Sequence, residues 1–265
     1  MPGVDLPLYA SVALGADALR RDDDVHAILD VAHTWGVEGV YLVCEHPKGD
    51  YLVTDPTWMA NLLDLVAGLR LKGLEVVVGY ANHQILVVSA TSATAIASGT
   101  WMNVRSFPPE KFRNPEEDQK QRTTWFYSPR SLSEYNIPFL DIAQKVGVLN
   151  KLPPPTAWSS PEINALFSGP QPTTIGLTEQ AAFRHYLTCL WHQTGDARLA
   201  TFDDTLKAQR ETLDKVERLL AELHEGGVTG KMRDFRDCVA VNRAALKTLE
   251  TNRGPILRRK WAELA

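Results

Sequence analysis

The first hundred residues alternate between short apolar runs and segments whose apolar positions return at helical spacing. LPLYASVAL (6–14), GVYLVCE (39–45), LEVVVGY (74–80) and ATAIAS (93–98) read as strands. The second is apolar throughout, as a strand covered on both faces should be. After the first, Asp22-Asp23-Asp24 opens a helix with Val25, Ile28, Leu29, Ala32 and Trp35 on one side, and Gly36 is its stop. After the second, Asp55-Pro56 supplies an N-cap and a proline at the first helical position. Met59, Leu62, Leu63, Val66 and Leu69 then form the stripe, and Gly73 ends it. HQILVVSAT reads as a short helix before the fourth strand. Such alternation predicts parallel strands joined by crossovers.

The pattern changes beyond residue 105. Eleven of the sixteen prolines lie between Pro108 and Pro172, and each removes a backbone donor and turns its predecessor away from helix. Trp125, Phe126, Tyr127, Tyr135, Phe139 and Trp158 make this stretch too apolar for a disordered linker. It is expected to wrap over the first region, with one short helix near 138–147. From Leu177 the chain becomes helical. Thr178 can cap EQAAFRHYLTCLWHQTG, and Thr201 with Asp204 resembles a capping box for a long helix to about Glu225. A third helix, from Lys231 to Leu249, carries Met232, Phe235, Val239, Leu246 and Leu249. The last two helices are expected to form an antiparallel hairpin.

The predicted class is therefore α/β, in three parts. Residues 1–105 form a parallel βα region, either half of a TIM-type barrel or a small open parallel sheet. Residues 106–175 form a proline-rich, irregular wrapping segment, and 176–265 a helical region ending in the hairpin. Four βα strands are half of an eight-stranded barrel. The other half would come from a second chain, as a homo-oligomer or a partner subunit, or from a stretch outside this one. Composition adds limits: a net charge of −4 argues against a protein that coats nucleic acid. Neither a bilayer-length apolar run nor a signal-like start is found. Three scattered cysteines suit reduced thiols, so the expected location is cytoplasmic.

In either α/β arrangement, ligands sit at the carboxyl ends of the strands. That rule selects Asp17, Glu45, His46, Tyr80, Asn82, Ser98, Thr100 and Trp101, with Arg105 just beyond. Glu45 beside His46 pairs a carboxylate with an imidazole, a combination suited to proton transfer when burial moves the pKa values toward neutrality. Asn82 is placed to orient a substrate amide or carbonyl, and equally to cap the helical run that follows it. Asp17, Tyr80, Ser98, Thr100, Trp101 and Arg105 form the expected substrate-binding set, with hydroxyls and a guanidinium for an anionic end. Trp101 and Phe107 could instead pack the mouth closed.

Other patterns carry less. His185, Cys189 and His192 share a helix face, but the first and last stand about 10 Å apart at helical rise, too far for one zinc. A core or interface face is the reading there, and no metal site is assigned. From Thr201 onward thirteen Lys and Arg face eleven Asp and Glu, the balance of a solvated surface. GxxxxGK[ST], GxGxxG, HExxH, paired CxxC and GxSxG are all absent. Nothing names a cofactor.

VVVGYANHQILVVSATSATAIASGTWMNVR (76–105) resembles the final βαβ of tRNA-guanine transglycosylases, where a strand ending in glycine leads through a short helix to the last barrel strand and an arginine-bearing loop. The resemblance implies nucleobase exchange and contact with nucleic acid. That family's nucleophilic aspartate has Ser98 in its place here, and its cysteine-rich zinc site has no counterpart, so no catalytic residue carries over. The expectation drawn from the residues is an enzyme domain, or part of one, acting on a small polar or phosphorylated substrate. Glu45 and His46 would handle protons, Asn82 would orient the substrate, and Ser98 through Arg105 would hold its anionic end. The competing expectation is a non-catalytic subunit whose half-barrel edge pairs with another chain.

Overall fold

The computed structural model describes residues 6–99, 104–107, 109 and 123–264. Strands β1 (Tyr9–Leu14), β2 (Gly39–Cys44), β3 (Glu75–Val78) and β4 (Ala95–Ile96) form one parallel sheet in the consecutive order β1-β2-β3-β4. The chain is thus mixed α/β. The fourth strand is shorter than its apolar run, because only Ala95 and Ile96 pair with β3 in strand register. The third connection, His83–Thr91, is a 3₁₀ run, and Asn82 caps it by accepting from the Gln84 amide.

Side chains alternate across a strand, so the register sorts the sheet into two faces. One carries Val40, Leu42, Val76 and Val78, all buried in the main core. The other carries the row Ser11–Tyr41–Val77–Ala95, whose outer members Ser11 and Ala95 are exposed and whose inner two are half-buried. Parallel sheets are ordinarily covered on both faces, and among the described residues no helix or strand covers the outer part of the second, although Val43 on it is buried.

Helices α1 (Asp22–Ala32) and α2 (Pro56–Leu71) join the first three strands. Asp55 caps α2 by accepting from Thr57 and Trp58 at 3.0 and 3.1 Å. Twelve of the sixteen α2 residues are buried, which makes it the central helix of the molecule. Gly68 permits this: a Cβ there would meet Leu29 of α1 at 2.6 Å.

The middle segment departs from the irregular layout expected for it. Strands β5 (Trp125–Ser128) and β6 (Ser133–Asn136) pair antiparallel as a second sheet, turning through Leu132 at a φ of 49°. Its strands read as WFYS and SEYN, where serines at buried positions hide the pattern. The hydroxyls are satisfied locally: Ser128 donates to the Leu152 carbonyl, and Ser133 accepts from the Phe235 amide. Helices α3 (Ile137–Lys145) and α4 (Pro161–Ala165) follow.

In the last third, α5 (Glu179–Ala197) is capped by Thr178 and α6 (Phe202–Glu225) by Thr201. Helix α7 is Arg236–Asn252 and begins later than its apolar pattern suggested. Lys231–Arg233 is a separate 3₁₀ turn in which Met232 is exposed, so Met232 does not belong to the stripe. Helix α7 packs chiefly on α2, with α6 as a lesser neighbour, and α8 (Gly254–Lys260) closes the chain. The buried apolar residues of all three thirds form one continuous cluster. No helix among the described residues is long and apolar enough to cross a membrane.

Candidate functional site

At the carboxyl edge of the sheet, Glu45 directly follows β2. Its Oε2 accepts from the Ala16 amide at 3.0 Å, and its backbone carbonyl accepts from the Trp58 indole. The carboxylate thus spans from β2 to the loop after β1, and its side chain stays half-buried. His46 turns the other way. Its Nδ1 donates to the Asp50 carbonyl at 2.9 Å and its ring meets Trp58 edge-on. Burial lowers its pKa, keeping the ring neutral. It shapes the loop before α2 and makes no described contact with Glu45.

Asn82 is fully buried and fully engaged: Oδ1 accepts from Gln84, and Nδ2 donates to the Tyr51 carbonyl at 2.6 Å. Gln84 binds Val53 through both its carbonyl and its amide. Together they fasten the β2–α2 loop to the start of the 3₁₀ run, so the described bonds of Asn82 are to the backbone around it. Tyr80 takes a left-handed backbone, φ 53°, and packs its ring on Phe107 at 5.1 Å. Phe107 itself bridges to Glu45. Asp17 is exposed and faces Arg20 at 3.4 Å. The Ser98 hydroxyl is buried without a hydrogen-bond partner among the described residues. Thr100 and Trp101 lie outside the described residues.

Arg105 leads to what the sequence pattern did not reveal. It is buried beside Glu134 of β6, a carboxylate that is itself 3% exposed. Glu134 accepts from the Tyr51 hydroxyl at 2.6 Å and from Arg233 Nη1 at 2.8 Å. Arg105 Nη1 stands 3.4 Å from both carboxylate oxygens and from the Tyr51 hydroxyl. Its guanidinium lies 3.5 Å over the Tyr186 ring, and that of Arg233 lies 4.1 Å over Trp125. His83, the first residue of the 3₁₀ run, sits among Tyr51, Tyr127, Tyr186 and Phe235. Five parts of the chain meet here: the β2–α2 loop, the 3₁₀ run, the 104–107 turn, the β5–β6 hairpin and the helical region.

The electrostatics follow from that geometry. Burial opposes ionisation of Glu134, but Arg105, Arg233, His83 and the Tyr51 hydroxyl outweigh it and hold its pKa below the usual carboxylate value. Burial drives the His83 pKa down to about 4, against the pull of Glu134 and with the push of both arginines. Burial raises Tyr51 and Tyr186, keeping both phenols neutral. At neutral pH the cluster holds one carboxylate, two guanidiniums and a neutral imidazole. Of the seven predicted site residues that are described, only Arg105 enters it. Tyr51, His83, Glu134, Tyr186 and Arg233 have no local signature, since a lone Glu in SEYN looks like a solvated strand residue.

The remaining candidates are structural. His185 Nε2 donates to the Tyr127 carbonyl at 2.8 Å while its ring stacks on Phe126, and His192 stacks on Trp158. Among the described residues no three His, Cys, Asp or Glu are placed to hold a metal. The C-terminal cations are mostly taken: Arg253 is bidentate on Asp64, Arg258 binds Asp203 and Glu250, and Lys260 binds Glu263. A groove of about 630 Å³ runs between α1, α2 and α7, past Asp22, His26, Asn61 and Asp64. Of its polar groups, Asn61 donates to Asp22 and Asp64 is paired with Arg253.

No protein-family model, curated protein or solved structure matches this chain.

Proposed function

We propose that the carboxyl edge of the parallel sheet is the working face of an enzyme domain, built as half of a TIM-type barrel, that acts on a small polar or phosphorylated substrate. The consecutive strand order supports the barrel reading, because a doubly wound sheet reverses its order at the ligand crevice. The observation that carries the functional reading is the burial of Arg105: a guanidinium just beyond the fourth strand is drawn into a desolvated ionic cluster instead of reaching solvent. Glu45 keeps the proton-handling role, half-buried and oriented by the Ala16 amide. Ser98 supplies an uncommitted hydroxyl at the end of the fourth strand. Asn82 and His46 act indirectly by fixing the loop that carries Tyr51.

Small polar and phosphorylated metabolites that raise the melting temperature would be tested for turnover. With a substrate so found, Glu45→Gln should lower kcat by about 100-fold, the scale of a lost proton-transfer group, with the melting temperature nearly unchanged. Full activity in that variant removes Glu45 from the mechanism.

A second reading, a subunit completed by another chain, is favoured by the open sheet face along Ser11–Tyr41–Val77–Ala95. Both readings are compatible with one molecule, since a completed barrel would carry its site at the same edge.

A further inference from the structure

Glu134 is the one carboxylate among the described residues of the cluster, and its oxygens are already subscribed. Oε1 takes the Tyr51 hydroxyl and Oε2 takes Arg233. What remains is a surplus of donors. Among the described residues Arg233 Nε is buried with no partner, and His83 Nε2 makes no hydrogen bond of good geometry, although the Leu132 backbone lies within reach of the ring. The Tyr186 hydroxyl lies 3.4 Å from His83 Nδ1. Arg105 is underbonded as well. Its hydrogen bonds to the described residues of the cluster and to the Gly99 carbonyl are 3.4 Å long, whereas charge-assisted N–H···O bonds are normally near 2.7–2.9 Å. The surrounding walls are aromatic faces, which attract cations but offer no lone pair aligned for these N–H groups.

Among the described residues two guanidiniums face one carboxylate in this buried cluster, an excess of positive charge, and an unpaired buried charge is costly. A group that supplies both negative charge and acceptor oxygens corrects the two deficits together.

We propose that this cluster is a binding site for a small oxyanion, a carboxylate or phosphate group of the ligand, held by Arg233 Nε, His83 Nε2 and Arg105. The inference rests on the small-substrate reading above and narrows it: the anionic end of the substrate lies against the β5–β6 hairpin, not at the fourth strand alone. Glu134 serves as the counter-charge that holds both arginines in place when no ligand is bound.

Titration calorimetry and thermal unfolding of the whole chain with inorganic phosphate, and separately with acetate, test this. One anion should bind per chain and raise the melting temperature, and the tighter of the two names the group. His83→Phe keeps the ring packing and removes the donor; Arg233→Lys keeps the charge on Glu134 and removes Nε. Each should weaken binding by tenfold or more. Glu134→Gln gives the opposite sign: less stable without anion, it should bind phosphate more tightly than the parent and recover its melting temperature in phosphate. No binding at tens of millimolar, unchanged affinity in both donor variants, or a Glu134→Gln defect that phosphate leaves untouched would each overturn the proposal and make the cluster a purely structural clamp. Glu45→Gln separates the two readings. Anion binding that persists while this variant retains full turnover sinks the catalytic role alone, and lost turnover without any anion binding sinks the site alone.

Discussion

His83 is the residue whose chemistry is most altered by its surroundings. Burial among four aromatic rings lowers its pKa to about 4, from an ordinary value near 6.5. A depressed pKa means that the unfolded chain binds the proton more readily. Its contribution to stability is therefore complete above about pH 6.5 and is lost as pH falls toward 4, on the order of 3 kcal/mol for a ring this buried. Glu134 acts in the same direction at lower pH: its carboxyl is held below the usual value, so its contribution is lost as pH falls through the carboxylate range. Urea unfolding from pH 7 to 4.5 should thus show a steep loss of stability, and His83→Phe should flatten it. An unchanged slope in that variant would place the acid lability elsewhere, with His185, also lowered to about 4 by burial, as the next group to examine.

At the scale of elements, α2 is the axis on which the fold turns. It meets α1 on one side and α7 on another, and the approach to α1 depends on the missing side chain at Gly68. Gly68→Ala gains helix propensity yet places a methyl against the Leu29 isobutyl group. Overpacking of this kind costs about 1–3 kcal/mol, more than the ~1 kcal/mol that alanine gains over glycine within a helix. Net destabilisation is expected in chemical unfolding, and pairing it with Leu29→Ala should restore part of the loss. The caps give a smaller, cleaner test. Thr201→Ala removes the hydroxyl that accepts from Asp204 at the start of α6, and should cost about 1 kcal/mol. The caps and the α1 and α2 stripes are short-range features, which is why Asp55, Thr178 and Thr201 could be assigned from spacing alone. The β5–β6 hairpin is not short-range in this sense. Its serines are satisfied by Leu152 and Phe235, and nothing near them in sequence announces those partners.

For the whole molecule, the decisive feature is the sheet face that no described element covers. Ser11 and Ala95 stand exposed on it, and β1 is an edge strand preceded by exposed Leu6 and Leu8. Exposed edges and open parallel faces invite association. The second reading therefore predicts a solution mass above the 29.5 kDa of one chain, measured by light scattering. Ser11→Arg, on the open face and away from the buried cluster, should return the mass to that of a single chain. A monomer at micromolar concentration would instead leave the parallel sheet standing alone and remove the paired-chain reading.

Local pattern determined the four parallel segments, their order of appearance, the two intervening helices, the caps and the helical last third, because periodicity and capping act over a few residues. It also placed Arg105 just beyond the carboxyl edge of the sheet. Tertiary structure alone decided which side chains Arg105 meets. Tyr51, His83, Glu134, Tyr186 and Arg233 are far apart along the chain, and each is unremarkable in its own stretch. Their charge states and unmet hydrogen bonds arise only once packing has removed the water between them.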